Sequence, residues 1–438
     1  MKVLRPSLAG LSNQRDSLIY FATFLALFPF CMALILDPQR IMVSEPTKFR
    51  LIAVFTIELL FFIAVLKRTD WLQTAFQLPH KAVTAIIACV LIIAFSRVVF
   101  VPENASLTIL RTTAWIGHIL FGFALYSVLI QRSANTLAHF MLLSVPAAAF
   151  AYVALISAQW IINGPPTGEY CALFQPVFLN IRYTGGITAV AAALLTFYAI
   201  NVAKGPNAKL CLTVGAIFLW AFLSYSGARG GFIAVSAALI FMLVVARSKE
   251  NMRLVAASAG IIVLGSLLPL LLPTPECGNF GIWERFASKL ASDDVSSGRI
   301  EIWYAVLSLI EGRPFFGHGE IILFERFAHF QIAQSHNLVL QFALTWGVVG
   351  AVLVCGLIAA LILRTSLKLS SLEPMARATL FAFLTGLGYA MMDATPVYYD
   401  YHVMIMVILA VALCAMLARS NAKTFQPAAK AITPSATN

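Results

Sequence analysis

The chain has 438 residues, of which 60% are hydrophobic and only 11% are charged. Its mean hydropathy of +0.87 lies far outside the range of soluble globular domains and excludes that class of protein. The net charge of +11 does not require nucleic acid as a partner, because basic loops next to membrane spans carry such charge and face anionic lipids.

Apolar runs long enough to cross about 30 Å of hydrocarbon recur along the whole chain. Backbone polar groups must be paired within lipid, and the alternation expected of barrel strands is absent, so these runs are predicted to be helices. The predicted fold is an all-α polytopic membrane domain that covers residues 1–438 and has about twelve transmembrane helices. The predicted spans are residues 17–36, 49–66, 82–101, 113–130, 138–162, 184–202, 209–224, 230–246, 254–272, 336–363, 377–393 and 401–418.

Lys and Arg residues predict the orientation of these spans. More than half of the 30 basic residues lie in the termini and in the short loops on one side of the layout, which the positive-inside rule places in the cytoplasm. Both termini are therefore predicted to be cytoplasmic, and residues 273–335 are predicted to form one large periplasmic loop with short helices. Pro29 interrupts the first span and no small-residue cleavage site follows, which favours a retained helix. Residues 421–438 are predicted to be a disordered tail.

Two of the seven cysteines, Cys171 and Cys277, fall in predicted periplasmic loops. An oxidising periplasm would allow them to form a disulfide. Sequence does not give the distance between them, so pairing and free thiols both remain open. The other five cysteines lie inside predicted spans, where small buried residues are common.

The turn between the seventh and eighth spans is polar and rich in glycine, from Ser224 to Gly231. Arg229 and Gly230 open the eighth span, so a guanidinium lies beside the free N–H groups and the positive dipole of a helix N-terminus. This combination favours an anion, particularly a phosphate. The alternative is an arginine that only reaches the membrane interface.

Two further motifs lie in the long loop. Gly298 and the residues before it resemble a helix start, which places Arg299 in the first helical turn and Trp303 one turn further on. The alternatives are a solvated Arg299–Glu301 face or an interfacial helix anchored by Trp303. A tight turn follows, in which His318 between two glycines either contacts a ligand or makes the ordinary hydrogen bonds of a loop histidine.

His336 and Asn337 open the tenth predicted span. An imidazole at the mouth of a membrane helix is costly to bury and can carry protons near neutral pH. At about 100° per residue, Gly347 returns to within about 20° of His336, and Gly350 shares that face. This spacing predicts a small-residue groove below the histidine for a neighbouring helix or a lipid chain. The alternative is a histidine that only caps the helix.

Four of these motifs occur in the order found in the O-antigen ligase and polymerase superfamily, which the chain resembles over roughly residues 180–360. The resemblance implies a GT-C-like glycosyltransferase that moves a glycan from undecaprenyl pyrophosphate to an acceptor hydroxyl on the periplasmic side, without metal or other cofactor. It also implies that Arg229 and Arg299 bind the pyrophosphate and that His336 is the essential histidine. The motifs are Ser226–Gly231, Gly298–Trp303, Pro314–Gly319, and His336-Asn337 with nine residues before Gly347.

The expected chemistry follows from what this reaction requires. Two guanidiniums that neutralise a departing pyrophosphate can replace a general acid. Neutral His336 can accept the proton of the acceptor hydroxyl, with Asn337 orienting the histidine or a sugar, and attack opposite the leaving group predicts inversion. A retaining mechanism would need a carboxylate nucleophile near a second acid. The carboxylates predicted on the periplasmic side are scattered, at Glu276, Glu284, Asp293, Asp294, Glu301 and Asp400.

The favoured function is that of an O-antigen ligase in the inner membrane of a Gram-negative bacterium, which joins preassembled polysaccharide to lipid A core. Its expected partners are the undecaprenyl-pyrophosphate-linked glycan, the lipid A core and membrane lipids. The alternatives are an O-antigen or exopolysaccharide polymerase, a protein O-glycosylating transferase, and a small-anion transporter that uses Arg229. One large loop and no clear internal repeat argue against an inverted-repeat transporter.

Overall fold

A computed structural model describes residues 46–66, 91, 105–130, 135–163, 181–245, 249–272, 281–291, 298–319, 334–394 and 400–424 of the chain. Within these ranges all regular structure is helical and no strand occurs, which confirms the predicted all-α class. The described residues form twelve α-helices. They are α1 (Pro46–Leu66), α2 (Ala105–Leu129), α3 (Asn135–Asn163), α4 (Ile181–Asn201), α5 (Pro206–Tyr225), α6 (Arg229–Val245), α7 (Lys249–Leu267), α8 (Ile282–Leu290), α9 (Arg299–Gly312), α10 (Leu338–Leu367), α11 (Pro374–Met392) and α12 (Asp400–Thr424).

Eight of these helices are long and apolar enough to cross a membrane, namely α2 to α5, α7 and α10 to α12. Shorter apolar segments occupy Val54–Val65 in α1 and the whole of α6. These ten segments coincide with ten of the predicted spans. The predicted spans at 17–36 and 82–101 lie outside the described residues, apart from the helical Leu91, so the total of twelve stays a prediction.

Helices α4 and α11 form the centre of the bundle and pack against each other. The buried faces of helix α4 include two glycines and five alanines, which let neighbouring helices approach closely. Phe197 of α4 stacks on Phe381 of α11 with ring centroids 4.0 Å apart. The first turn of α4 carries Arg182, and Asp393 directly follows α11, so both charged residues are attached to the best-buried helices.

Helix α10 is broken at Gly347, where φ is 73° and ψ is 174°. The segment 314–319 passes this break and pairs its backbone with that of the helix. The N–H groups of His318 and Gly319 donate to the carbonyls of Leu344 and Thr345 at 2.7 and 2.9 Å, and Val348 donates to Pro314 at 2.7 Å. The passing segment therefore satisfies backbone groups that the break removes from the regular helical pattern.

The predicted groove below His336 is wrong. Helix α10 begins at Leu338, and His336 precedes it in the left-handed region with φ 51°. A Cβ atom on Gly347 would lie 2.2 Å from the carbonyl oxygen of Phe315, so the segment 314–319 fills the space that was assigned to a helix or lipid chain. Rotation of 100° per residue applies only to an unbroken helix, and Gly347 ends that regularity.

Gly347→Ala is expected to destabilise the protein by about 2–4 kcal/mol, because the new methyl group meets backbone atoms and the residue has a positive φ. The check is thermal unfolding of the detergent-purified protein. Gly356→Ala in the same helix is the matched control, because a Cβ atom there meets nothing within 4 Å. Equal melting temperatures for the two variants would contradict the role assigned to the break.

Candidate active site

Four arginines from four helices interact electrostatically at one end of the bundle. They are Arg182 of α4, Arg229 of α6, Arg285 of α8 and Arg299 of α9. Burial, followed by the charges of Arg229 and Arg182, lowers the pKa of Arg285 to about 10. Arg285 therefore keeps its positive charge at neutral pH. A cluster of like charges of this kind is stabilised by an anion that binds between them.

Arg229 and Arg285 are held by mutual contacts with backbone. Arg229 Nη1 donates to the carbonyl of Arg285 at 3.2 Å, and Arg285 Nη1 donates to the carbonyl of Gly227 at 3.0 Å. Gly227 has φ 75°, and a Cβ atom there would lie 2.6 Å from Arg285 Cδ. The glycine-rich turn thus provides both the left-handed conformation and the space that bring α8 against the start of α6.

Arg299 is the first residue of α9 and follows Gly298, which has φ 77°. The predicted position in a first helical turn is therefore confirmed, with Trp303 one turn further on. Burial and the charge of Arg182 lower the pKa of Arg299, whereas the charge of Asp393 raises it. Trp303 Nε1 is buried and has no hydrogen-bond partner among the described residues. Arg299 therefore interacts electrostatically with both Arg182 and the carboxylate of Asp393.

Tyr389 of α11 positions Arg182. Its hydroxyl donates to the carbonyl oxygen of Arg182 at 2.6 Å. A Cβ atom on Gly185, Gly186 or Gly230 would lie 3.2 Å from an atom of the tyrosine side chain. The place of Gly230 is therefore explained by close packing on this tyrosine, which connects α4, α6 and α11 at the arginine cluster.

His336 lies between Arg182 and Asp393. Arg182 Nη1 is 3.4 Å from His336 Nε2, and His336 Nδ1 is 3.4 Å from Asp393 Oδ2, within ion-pair distance but without hydrogen-bond alignment. Gln334 donates to Asp393 Oδ1 at 2.8 Å. Because a guanidinium can only donate, Nε2 is assigned as the acceptor and Nδ1 as the protonated nitrogen that faces the carboxylate. The imidazole therefore presents its basic nitrogen to the arginines.

Asn337 caps α10. Its Oδ1 accepts hydrogen bonds from the N–H groups of Val339 and Leu340 at 3.0 and 3.1 Å, and its Nδ2 donates to the carbonyl of Met391 at 3.3 Å. These contacts attach the start of α10 to the end of α11. Asn337 therefore positions the backbone that follows the histidine, because its amide contacts both the start of α10 and the end of α11.

His318 lies where α9 meets α10. Its Nε2 hydrogen-bonds the carbonyl of Leu309 at 2.7 Å, and its own N–H pairs with Leu344 at the break in α10. These bonds fasten α9 to α10, as expected of a structural loop histidine. Cys171 and Cys277 lie outside the described residues, so their pairing stays a prediction.

Arg182, Arg285 and Asp393 were not predicted from sequence. Arg182 precedes the sixth predicted span and Asp393 ends the eleventh, and both ends were predicted to lie on the same side as His336. Charged residues at those ends of otherwise apolar helices were the available signal. Arg285 lies in the loop among other charged residues, where its sequence context carries no comparable signal.

The fold and this site define a multi-pass helical membrane protein with a cluster of arginines beside a buried histidine and carboxylate. Residues 214–355 match the family model described as O-antigen ligase, a segment that contains Arg229, Arg285, Arg299 and His336. This match confirms the predicted resemblance to the O-antigen ligase and polymerase superfamily. No protein with a curated description matches the chain significantly.

Proposed function

We propose that the chain is an O-antigen ligase that transfers preassembled polysaccharide from undecaprenyl pyrophosphate to lipid A core at the periplasmic face of the inner membrane. The observation that carries this proposal is the 3.4 Å approach of Arg182 to His336 Nε2. In this contact a guanidinium, which can bind a phosphate, lies beside an imidazole nitrogen, which can accept the proton of a hydroxyl group. Glycan transfer from a pyrophosphate carrier needs both.

The arginines serve the leaving group. As the bond between the anomeric carbon and the pyrophosphate oxygen breaks, negative charge grows on that oxygen. Guanidiniums form short, charge-assisted hydrogen bonds to phosphate, and in a half-buried site they act at a lower dielectric than in water. The resemblance implies this role for Arg229 and Arg299. We assign the same role to Arg182 and Arg285, because both interact electrostatically with those two arginines.

His336 serves the acceptor. The acceptor oxygen forms a bond to the anomeric carbon while its proton moves to His336 Nε2, and Asp393 stabilises the resulting imidazolium. Arg182 Nη1 lies 3.4 Å from the same nitrogen. A bound pyrophosphate attracts this guanidinium and exposes Nε2 to the hydroxyl, so the donor prepares the base for the acceptor.

The positions of the described carboxylates favour inversion over retention at the anomeric carbon. Retaining glycosyl transfer needs two carboxyl groups about 5–5.5 Å apart, one of them a nucleophile. Among the described residues, Glu284 and Glu301 are exposed on α8 and α9, whereas Asp393 is buried against His336 and Gln334. Asp393 is thus placed to support the base and not to attack the sugar.

The test is transfer by the purified protein in a defined mixture of undecaprenyl-pyrophosphate-linked glycan and lipid A core. The expected product is glycan attached to lipid A core. Extension of the carrier-linked glycan without use of the core would replace the ligase by a polymerase, the second member of the matched superfamily. In cells, loss of a ligase leaves bare core and carrier-linked long polymer, whereas loss of a polymerase leaves cores that carry a single repeat.

A further inference from the structure

The backbone of His336 adopts a conformation that residues with a Cβ atom rarely adopt. Its φ of 51° lies in the left-handed region, and every other described residue with a positive φ is a glycine. The strain of such a conformation persists only where neighbouring contacts stabilise it. The contacts that hold the backbone around His336 therefore also determine where its imidazole lies.

Ser335 bonds to the backbone on the far side of His336. Ser335 is fully buried, its Oγ donates to the carbonyl of Asn337 at 2.8 Å, and the same oxygen accepts from the N–H of Asn337 at 3.4 Å. One hydroxyl group thus closes a short turn around the histidine. The position of this turn depends on what holds the backbone of Ser335.

Gln341 of α10 holds that backbone. Its Oε1 accepts a hydrogen bond from the N–H of Ser335 at 2.9 Å, and its Nε2 donates to Thr345 Oγ1 at 3.3 Å. Because a backbone N–H can only donate, the amide oxygen is assigned to the side of Ser335 and the amide nitrogen to the side of Thr345. Both side chains are buried in the part of α10 that precedes the break at Gly347. The amide is therefore bonded at both ends and keeps one orientation.

The glutamine is not needed to start the helix. Asn337 already caps α10, because its Oδ1 accepts from the N–H groups of Val339 and Leu340. A leucine would fill the space of Gln341 without an amide that must be hydrogen-bonded when it is buried. Gln341 bonds instead to the residue before His336, whereas Asn337 holds the residues after it. The two amides together fix the histidine from both sides.

We propose that Gln341 is a positioning residue that acts through Ser335 to keep His336 in its left-handed conformation. The proposal rests on the proposed function, in which Nε2 of this histidine accepts the proton of the acceptor hydroxyl. The two ring nitrogens each lie 3.4 Å from a charged neighbour, Arg182 or Asp393. Since a displacement of about 1 Å can lower a rate about 10²-fold, a small change in the backbone at His336 is enough to misplace the base.

Gln341→Leu removes both hydrogen bonds of the amide at nearly constant volume. We expect kcat to fall about 10–100-fold, while the KM for the donor stays within about 2-fold of the native value. Thr379→Val is the matched control, because Thr379 is fully buried in α11 and loses its hydrogen bond to the carbonyl of Met375 at 2.8 Å. We expect this control to keep the native kcat. A native kcat in Gln341→Leu, or an equal fall in both variants, overturns the proposal.

Free imidazole separates a positioning role from a general loss of packing. In His336→Ala, imidazole added to the mixture can replace the missing base. Ser335 does not hold this free base, so Gln341→Leu should leave the imidazole-dependent rate of His336→Ala unchanged within about 2-fold. A fall as large as that in the native background would show that Gln341 supports the bundle and not the histidine, and would overturn the proposal.

Reaction with diethyl pyrocarbonate tests the proposal without glycan transfer. This reagent modifies accessible imidazole nitrogens, and His336 is buried in the native protein. Gln341→Leu should raise the rate of modification of His336 about 3-fold or more, as read by mass spectrometry of the peptides, and leave that of His139 unchanged. An unchanged rate at His336, or an equal rise at His139, overturns the proposal while the ligase function stands. A rise confined to His336 in a protein that transfers no glycan would contradict the ligase function alone.

Discussion

Replacing His336 by alanine is expected to lower kcat for glycan transfer by about 10²–10⁴-fold, the usual contribution of a positioned general base. His336 Nε2 faces the arginine cluster and His336 Nδ1 faces Asp393. The variant removes the proton acceptor but leaves every arginine in place, so donor binding should persist. The measurement is turnover in the defined transfer mixture, with donor binding followed separately.

His139→Ala is the matched control for this variant. His139 pairs with Tyr198 and interacts electrostatically with Lys204, Glu373 and Arg419, away from the arginine cluster. We expect His139→Ala to transfer glycan at the native rate. Added imidazole should restore part of the activity of His336→Ala, because free imidazole can replace the proton acceptor that this variant lacks. Native turnover in a folded His336→Ala protein would contradict the assignment.

Replacing Arg299 by lysine is expected to lower kcat/KM for the donor by about 10–100-fold, and replacing it by alanine by about 10²–10³-fold. Lysine keeps the charge but loses the planar pair of donors that contacts two phosphate oxygens at once. The difference between the two variants therefore separates charge from geometry. The measurement is the dependence of initial rate on donor concentration with the acceptor held saturating.

Arg313→Lys serves as the control for Arg299→Lys. Arg313 is an exposed arginine directly after the end of the same helix, α9. The substitution has the same chemistry, and we expect an unchanged kcat/KM. Undiminished turnover in Arg299→Lys would argue against a phosphate contact made by two donors of the same guanidinium.

Local features of the chain were predictable, and contacts between distant segments were not. The lengths of the apolar runs predicted the ten spans that the structure describes. The glycines before Arg229 and Arg299 predicted that both arginines lie in first helical turns. The contact between Arg182 and His336 joins residues 154 positions apart, and no local pattern reports it. Sequence did not predict the break at Gly347, because a glycine in an apolar run can either allow close helix packing or adopt a left-handed backbone conformation. Only its contact with the segment 314–319 shows that Gly347 adopts the left-handed conformation.

The backbone pairing at Gly347 joins one of two packed units that carry the candidate phosphate-binding arginines. One unit joins α9 to α10 through the segment 314–319 and carries Arg299 and His336. The other joins the Gly227 turn to α8 and carries Arg229 and Arg285. If these arginines bind the donor as proposed, a ligand with two phosphate groups is expected to contact arginines of both units. A carrier monophosphate is then expected to contact fewer of them and to bind less tightly than the carrier pyrophosphate.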